Sequence, residues 1–279
     1  MPAIAAREVY TSMPLLIMAD IRSSATRPPV ASKVPEITAT FWILKLRTTA
    51  MGENASGYLV HTRPVFGLGV GVVGFVATLW LQFRTRRYPP MAYWAAISMV
   101  AVFGTIVADV LHGDLGIPLP VSTIACAAAL AIIFVAWHRA EGTLSIHSIT
   151  ARRREVFYWL TVSFTFALGM AAGDLTADTL RLGFVGSIVL FAVIMAVPVL
   201  GRWRFGLNGV VAFWFAYVVT RPLGASADDW LGKRAMAGGV GLGDGPVAAA
   251  LILAIAILVS CLAFRRRNTR ITSTKGSEV

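Results

Sequence analysis

Along this chain two kinds of apolar segment alternate. Residues 65–83, 118–137, 182–200 and 247–264 contain no charge, and at about 20 residues each can cross roughly 30 Å of hydrocarbon as a helix. Four others, beginning near Ile37, Met91, Val156 and Asn208, start apolar and then meet charge: Lys45, Arg47 and Glu53 in the first, Asp109 in the second, Asp174 in the third, Arg221 and Asp229 in the fourth. Alternation of the two kinds predicts an all-α membrane protein of eight transmembrane helices, with both termini on one side. The boundaries expected are a tail over 1–34, two-helix units over 35–87, 88–151, 152–205 and 206–266, and a second tail over 267–279.

Composition agrees, with 57% hydrophobic and 14% charged residues against roughly 45–50% and 25% in soluble globules. The net charge of +11 has a positional meaning. In this topology 18 of the 25 Lys and Arg lie on the side of the termini, four on the other and three within spans. The positive-inside rule then places both termini in the cytoplasm, and the excess charge implies no nucleic-acid partner. Trp42, Trp80, Trp94, Trp137, Trp159, Trp203 and Trp214 fall near the cytoplasmic ends of spans, where amphipathic rings settle at the interface. In the first 34 residues the run 13–19 is too short and too far from a basic start to be a secretory signal. That stretch reads as a cytoplasmic tail, or as a translation start set too early. Cys126 and Cys261 lie within apolar runs, which excludes a disulfide framework.

The charged spans repeat a phrase. Phe41-Trp42, Tyr93-Trp94, Tyr158-Trp159 and Phe213-Trp214 are each followed, ten residues after the Trp, by Gly52, Gly104, Gly169 and Gly224; five residues later come Gly57, Asp109, Asp174 and Asp229. The pattern is aromatic-Trp-x9-Gly-x4-Asp. At 1.5 Å per residue the Gly lies about 15 Å and the Asp about 22 Å beyond the Trp, and a Gly at mid-membrane lets a neighbouring backbone approach. Each copy is an out-and-back pair of helices, so the copies are parallel repeats about an axis along the membrane normal. Closed into a pseudo-fourfold ring, they bring Asp109, Asp174 and Asp229 to one depth, with Gly57 leaving the fourth place empty.

These copies, with Lys33-Val34-Pro35-Glu36, Thr48-Thr49-Ala50-Met51-Gly52-Glu53, Ser145-Ile146-His147-Ser148 and Thr220-Arg221-Pro222-Leu223-Gly224-Ala225, resemble a bacterial membrane protein family of four tandem two-span repeats of unknown function. The resemblance covers about residues 33–266 and implies an architecture, not an activity. The family's first copy runs Gly-Glu-x-x-x-Asp, where this chain has Gly52-Glu53-Asn54-Ala55-Ser56-Gly57.

Ionisable groups within a bilayer cost roughly 2.5–3.5 kcal/mol and turn toward protein or water. Glu53, Asp109, Asp174 and Asp229 are therefore expected to bind an ion or substrate, and Arg221 is expected either to pair with Asp174 or Asp229 as counter-charge or to receive an anionic substrate. Lys45 and Arg47, three and five residues past Trp42, are expected to snorkel to the cytoplasm. Asp109, His112 and Asp114 are candidate ligands of a divalent metal, against the reading of a solvated helix end. No nucleophile elbow, phosphate loop or zinc motif occurs in the sequence, so neither an enzyme nor a cofactor is expected. Two functions stay open: a small cation transporter or channel-like protein, metal- or proton-coupled, and a non-transporting scaffold whose repeated polar residues hold the bundle together. The partners expected are the lipid bilayer and a small cation; the oligomeric state is not specified.

Overall fold

The computed structural model describes residues 32–275; the expected N-terminal tail up to residue 31, and residues 276–279, lie outside the described residues. Eight long helices make up the fold, with no strand among the described residues: α1 (Ala39–Thr62), α2 (Pro64–Arg84), α3 (Pro90–Asp109), α4 (Leu119–Glu141), α5 (Arg152–Asp174), α6 (Gly183–Phe205), α7 (Gly209–Gly232) and α8 (Asp244–Lys275). Local chemistry sets their ends. Thr38 and Asn208 cap α1 and α7 through their side chains, prolines fill the first turns of α2, α3 and α4, and Gly142 and Gly206 close α4 and α6 in the left-handed region. Helices α3 and α5 run on into π-helical turns, Val110–Asp114 and Leu175–Thr179, each starting directly after the aspartate of its phrase. Among the described residues, seven helices are long and apolar enough to cross a membrane. The chain is a multi-pass membrane protein. The exception, α1, has the same 24-residue length as α7, but carries Lys45, Arg47 and Glu53.

Helices α1, α3, α5 and α7 touch in closed order, α1 to α3, α3 to α5, α5 to α7 and α7 back to α1. The other four pack outside them, each mainly on the inner helix of the following hairpin: α2 on α3, α4 on α5, α6 on α7, and α8 on α1. Half or more of the apolar stretch of α3, α5 and α7 is consequently buried, against 11–22% in the outer helices. Lipid-facing stretches need only apolar surface, so the outer helices carry charge only toward their ends; the inner helices face one another and can hold polar groups.

The glycines explain the contacts between inner helices. A Cβ on Gly52 would overlap Ala101, one on Gly104 would stand 3.3 Å from the Cβ of Phe166, one on Gly169 would overlap Arg221, and one on Gly224 would overlap Thr49. Ala101, Phe166, Arg221 and Thr49 each lie seven residues past their own Trp. Each glycine is thus the socket for the corresponding side chain of the next inner helix.

Two to three turns away, the aromatic pairs interlock in the same order. Phe41 meets Trp94 at 5.8 Å between ring centroids, Tyr93 meets Trp159 at 5.7 Å, Tyr158 meets Trp214 at 6.2 Å, and Phe213 meets Trp42 at 5.8 Å. This corrects the expectation of interfacial anchoring for Trp94, Trp137, Trp159 and Trp214, which are buried in the core. Trp80 and Trp203 stay exposed. Lys33, counted with the tail in the sequence, is also buried, paired at 2.5 Å with Glu155 at the start of α5. Its backbone N–H donates to the Ile149 carbonyl at 3.0 Å, which pins the entry of α1 to the loop before α5.

Overpacking a fitted interface costs about 1–3 kcal/mol. Gly52→Ala is expected to lower the unfolding temperature of the detergent-purified protein by several degrees, whereas Gly69→Ala on α2, with nothing within 4 Å of a Cβ there, leaves it unchanged. Equal effects of the two would refute the socket.

Candidate functional site

The central side chain of the bundle is Arg221. It lies one residue before Pro222 on α7, faces the socket of Gly169, and has no solvent exposure. Its Nη2 donates to Thr105 Oγ1 on α3 at 2.7 Å, lies 3.4 Å from Glu53 Oε2 on α1, and approaches Met170 Sδ on α5 at 3.6 Å; its Nη1 donates to the Thr49 carbonyl at 3.2 Å. Arg221 from one inner helix therefore touches all three others. Glu53, Thr105 and Met170 share one register, eleven residues past their Trp, where α7 has Ala225. This corrects the sequence expectation for Arg221: its ion-pair partner is Glu53, not Asp174 or Asp229. The reason is depth, since Arg221 lies seven residues past its Trp and those aspartates fifteen, about 12 Å farther along a helix.

Lys45 lies one turn nearer the aromatic layer. Rather than snorkelling, it is buried, with Nζ 3.8 Å from the Phe166 ring centroid and 4.1 Å from that of Tyr217. Arg221 shares the Phe166 ring, with its guanidinium carbon 5.0 Å away. Aromatic faces attract cations most strongly where water is excluded, and the rings that line the axis here offer them. Arg47, in contrast, is exposed.

Toward the opposite end the axis becomes acidic. Glu53 interacts electrostatically with Arg221 and Lys233, and its charge is felt by Asp109, Asp174, Asp228 and Asp229. Asp228 is the most buried of these aspartates; its carboxylate accepts a hydrogen bond from the Asn54 side-chain amide. Asp229 and Asp174 are half-buried and Asp109 is exposed. Lys233, just past the end of α7, lies 3.7 Å from Asp229. Burial alone would lower its pKa, but the carboxylates of Asp229, Asp244, Glu53 and Asp109 outweigh that and raise it. Its contribution to stability is therefore fully present below the ordinary lysine pKa and is lost only as pH rises through the raised one. The empty place at Gly57 is filled in space by another residue. A Cβ there would stand 3.2 Å from Asp244 Oδ2, in the first turn of α8, so Asp244 brings a carboxylate to the position where the first phrase lacks one.

Asp109, His112 and Asp114 are not drawn into a ligand set. His112 sits in the π-helical turn with Nδ1 2.9 Å from the Ile117 carbonyl and Nε2 3.3 Å from Ser122 Oγ. Among the described residues no three His, Cys, Asp or Glu side chains come together as metal ligands would. Sequence reasoning missed Thr105, Met170, Asn54, Asp228 and Asp244. The first two become visible when the four phrases are aligned and the column after the glycine is read, although its chemistry changes from copy to copy. Asp244, on an outer helix, left no signal in the repeat.

Removing the Asn54 amide leaves the Asp228 carboxyl buried with one partner fewer, a loss of about 1–3 kcal/mol. Asn54→Ala should therefore unfold more readily in a detergent titration, while Asp109→Asn at an exposed site should change stability by less than about 0.5 kcal/mol. The reverse order would contradict this arrangement.

A family model described as Repeat of Unknown Function (DUF347) matches residues 92–143, 157–207 and 212–268, which contain most of the second, third and fourth two-helix units. Residues 35–87 are not among the matched segments. Neither the comparison with curated proteins nor that with solved structures gives a match.

Proposed function

Because the chain belongs to the Repeat of Unknown Function (DUF347) family, whose description carries no activity, we propose a function from the polar axis: a small secondary transporter of a cation, with a proton as the simplest candidate. The reading includes a fourth, diverged copy over 35–87, so that the four hairpins surround a pseudo-fourfold axis. It sets both termini in the cytoplasm of a bacterial inner membrane, with the acidic end outside.

The observation that carries this reading is the position of Glu53, which joins two regions of opposite character. On one side, three or four residues beyond the register of Glu53 on their helices, are Asp109, Asp174, Asp228 and Asp229; on the other is the guanidinium of Arg221, 3.4 Å away. A cation collected by the aspartates meets Glu53 next, and a proton or cation on Glu53 weakens its hold on Arg221. An open cation pore fits poorly, since Arg221, Lys45 and the interlocked aromatic rings fill the axis beyond Glu53. A carrier that exchanges one ion pair for another fits better: the arginine is the charge that a bound cation displaces.

The test uses purified protein in liposomes under an imposed gradient of H⁺, Na⁺, K⁺, Mg²⁺ or Mn²⁺, followed with an internal indicator dye. Flux of one cation above protein-free liposomes is expected, reduced at least tenfold in Asp229→Asn and in Glu53→Asp, which keeps a charge for Arg221 but shortens its reach, in preparations that retain the parent's unfolding profile. If the parent moves none of these ions faster than empty liposomes, the polar axis is structural and the scaffold reading replaces this one.

A further inference from the structure

A cavity of about 1090 Å³ lies between α1, α6, α7 and the loop after α4, and its lining includes none of the charged residues of the polar axis. Its size is at the upper end of ligand sites, roughly 300–1,000 Å³. The shaft is mainly apolar, with Trp42, Leu46, Met195, Pro198, Ala216 and Leu223 among its lining residues and the hydroxyl of Thr220 turned back to the Ala216 carbonyl, while Ser145, His147, Arg202 and Asn208 gather at the end where α4 and α6 finish. Along α7 the lining runs from Asn208 to Leu223, about 22 Å at 1.5 Å per residue. That is close to half of a bilayer's 40–45 Å with headgroups. The groove is therefore about one leaflet deep, carries exposed apolar side chains such as Leu46 and Val199 on its walls, and has a cation at its mouth.

We infer that this groove is a binding site for one anionic glycerophospholipid, its acyl chain in the shaft and its phosphate against Arg202. Charge complementarity selects the headgroup. The guanidinium of Arg202 is exposed at the mouth; its Nη1 makes only a long 3.5 Å contact with the Leu207 carbonyl, and Arg204 lies two residues on. Gly209 leaves room for the guanidinium, because a Cβ there would come 2.8 Å from Arg202 Nη1. A zwitterionic headgroup brings a compensating ammonium to the same arginine and gains less. The occupant would touch α7 at Ala216 and Thr220, directly before Arg221, so the lipid would brace the helix that carries the central cation.

The experiment is native mass spectrometry of the full chain released from detergent micelles after incubation with phosphatidylglycerol or phosphatidylcholine of the same acyl chains. The parent is expected to retain one phosphatidylglycerol at an occupancy at least fivefold above phosphatidylcholine. Arg202→Glu should abolish that preference and Arg202→Lys should keep it, while Ala216→Phe, which fills the shaft without touching the charge, should reduce retention of both lipids. Equal retention of the two lipids by the parent, an unchanged preference in Arg202→Glu, or a second copy of the chain in place of lipid would each overturn the assignment.

Discussion

A guanidinium with no solvent exposure, in the middle of a helix of bilayer length, constrains everything around it. Unpaired, such a charge is expensive in any environment. In this bundle Arg221 is met by a hydroxyl, a carboxylate, a thioether and a backbone carbonyl supplied by the three other inner helices. None of those helices can leave its place without stripping a partner from the cation. The hydrophobic effect gives little drive for helices to associate within lipid, so shape and polar contact must do so. The Arg221 cluster supplies the polar part and the glycine sockets supply the shape.

The two parts are one device. Every inner helix presents a glycine to the side chain at the same register of its neighbour, and three of those side chains are Thr49, Ala101 and Phe166. At the fourth contact the occupant is Arg221, whose length carries it past Gly169 to the axis. A uniform frame thus holds unequal contents: a common backbone spacing, then a single cation, a single glutamate eleven residues past Trp42, and a lysine among aromatic rings. The same division appears at the acidic end, where Asp244 from an outer helix stands where the first copy has Gly57. A shared register fixes the positions, and departures from it set the contents of the axis.

Much of the frame was legible in the sequence, because its signals are local and repeat. Span lengths, alternation of charged and uncharged helices, and the spacing from Trp to Gly follow from hydropathy and counting. The contents were harder. Trp94, Trp159 and Trp214 suggested interfacial anchors, but the ring of helices turned them inward, where each packs on an aromatic residue of the preceding phrase. Lys45 lay close enough to the span end to snorkel, yet its face of α1 points to Phe166 and Tyr217. Arg221 suggested an aspartate partner because aspartates are what the phrases repeat; its real partner sits in a column where Glu, Thr, Met and Ala share no chemistry. Asp244 belongs to an outer helix, and only three-dimensional packing brings it near Gly57. Pattern thus reported what the copies share, whereas the site is made from what they do not.

The most direct measurement is a double-mutant cycle on Glu53 and Arg221, with the unfolding free energies of the parent, Glu53→Met, Arg221→Met and the double variant compared in the same detergent. A dominant buried pair predicts that Glu53→Met alone costs about 3–5 kcal/mol through the stranded guanidinium. The double variant should then be markedly more stable than the sum of the single losses implies, with a coupling of at least about 2 kcal/mol. Additive losses, with no coupling between the two positions, would show that the bundle does not depend on this pair and would contradict the account at its centre.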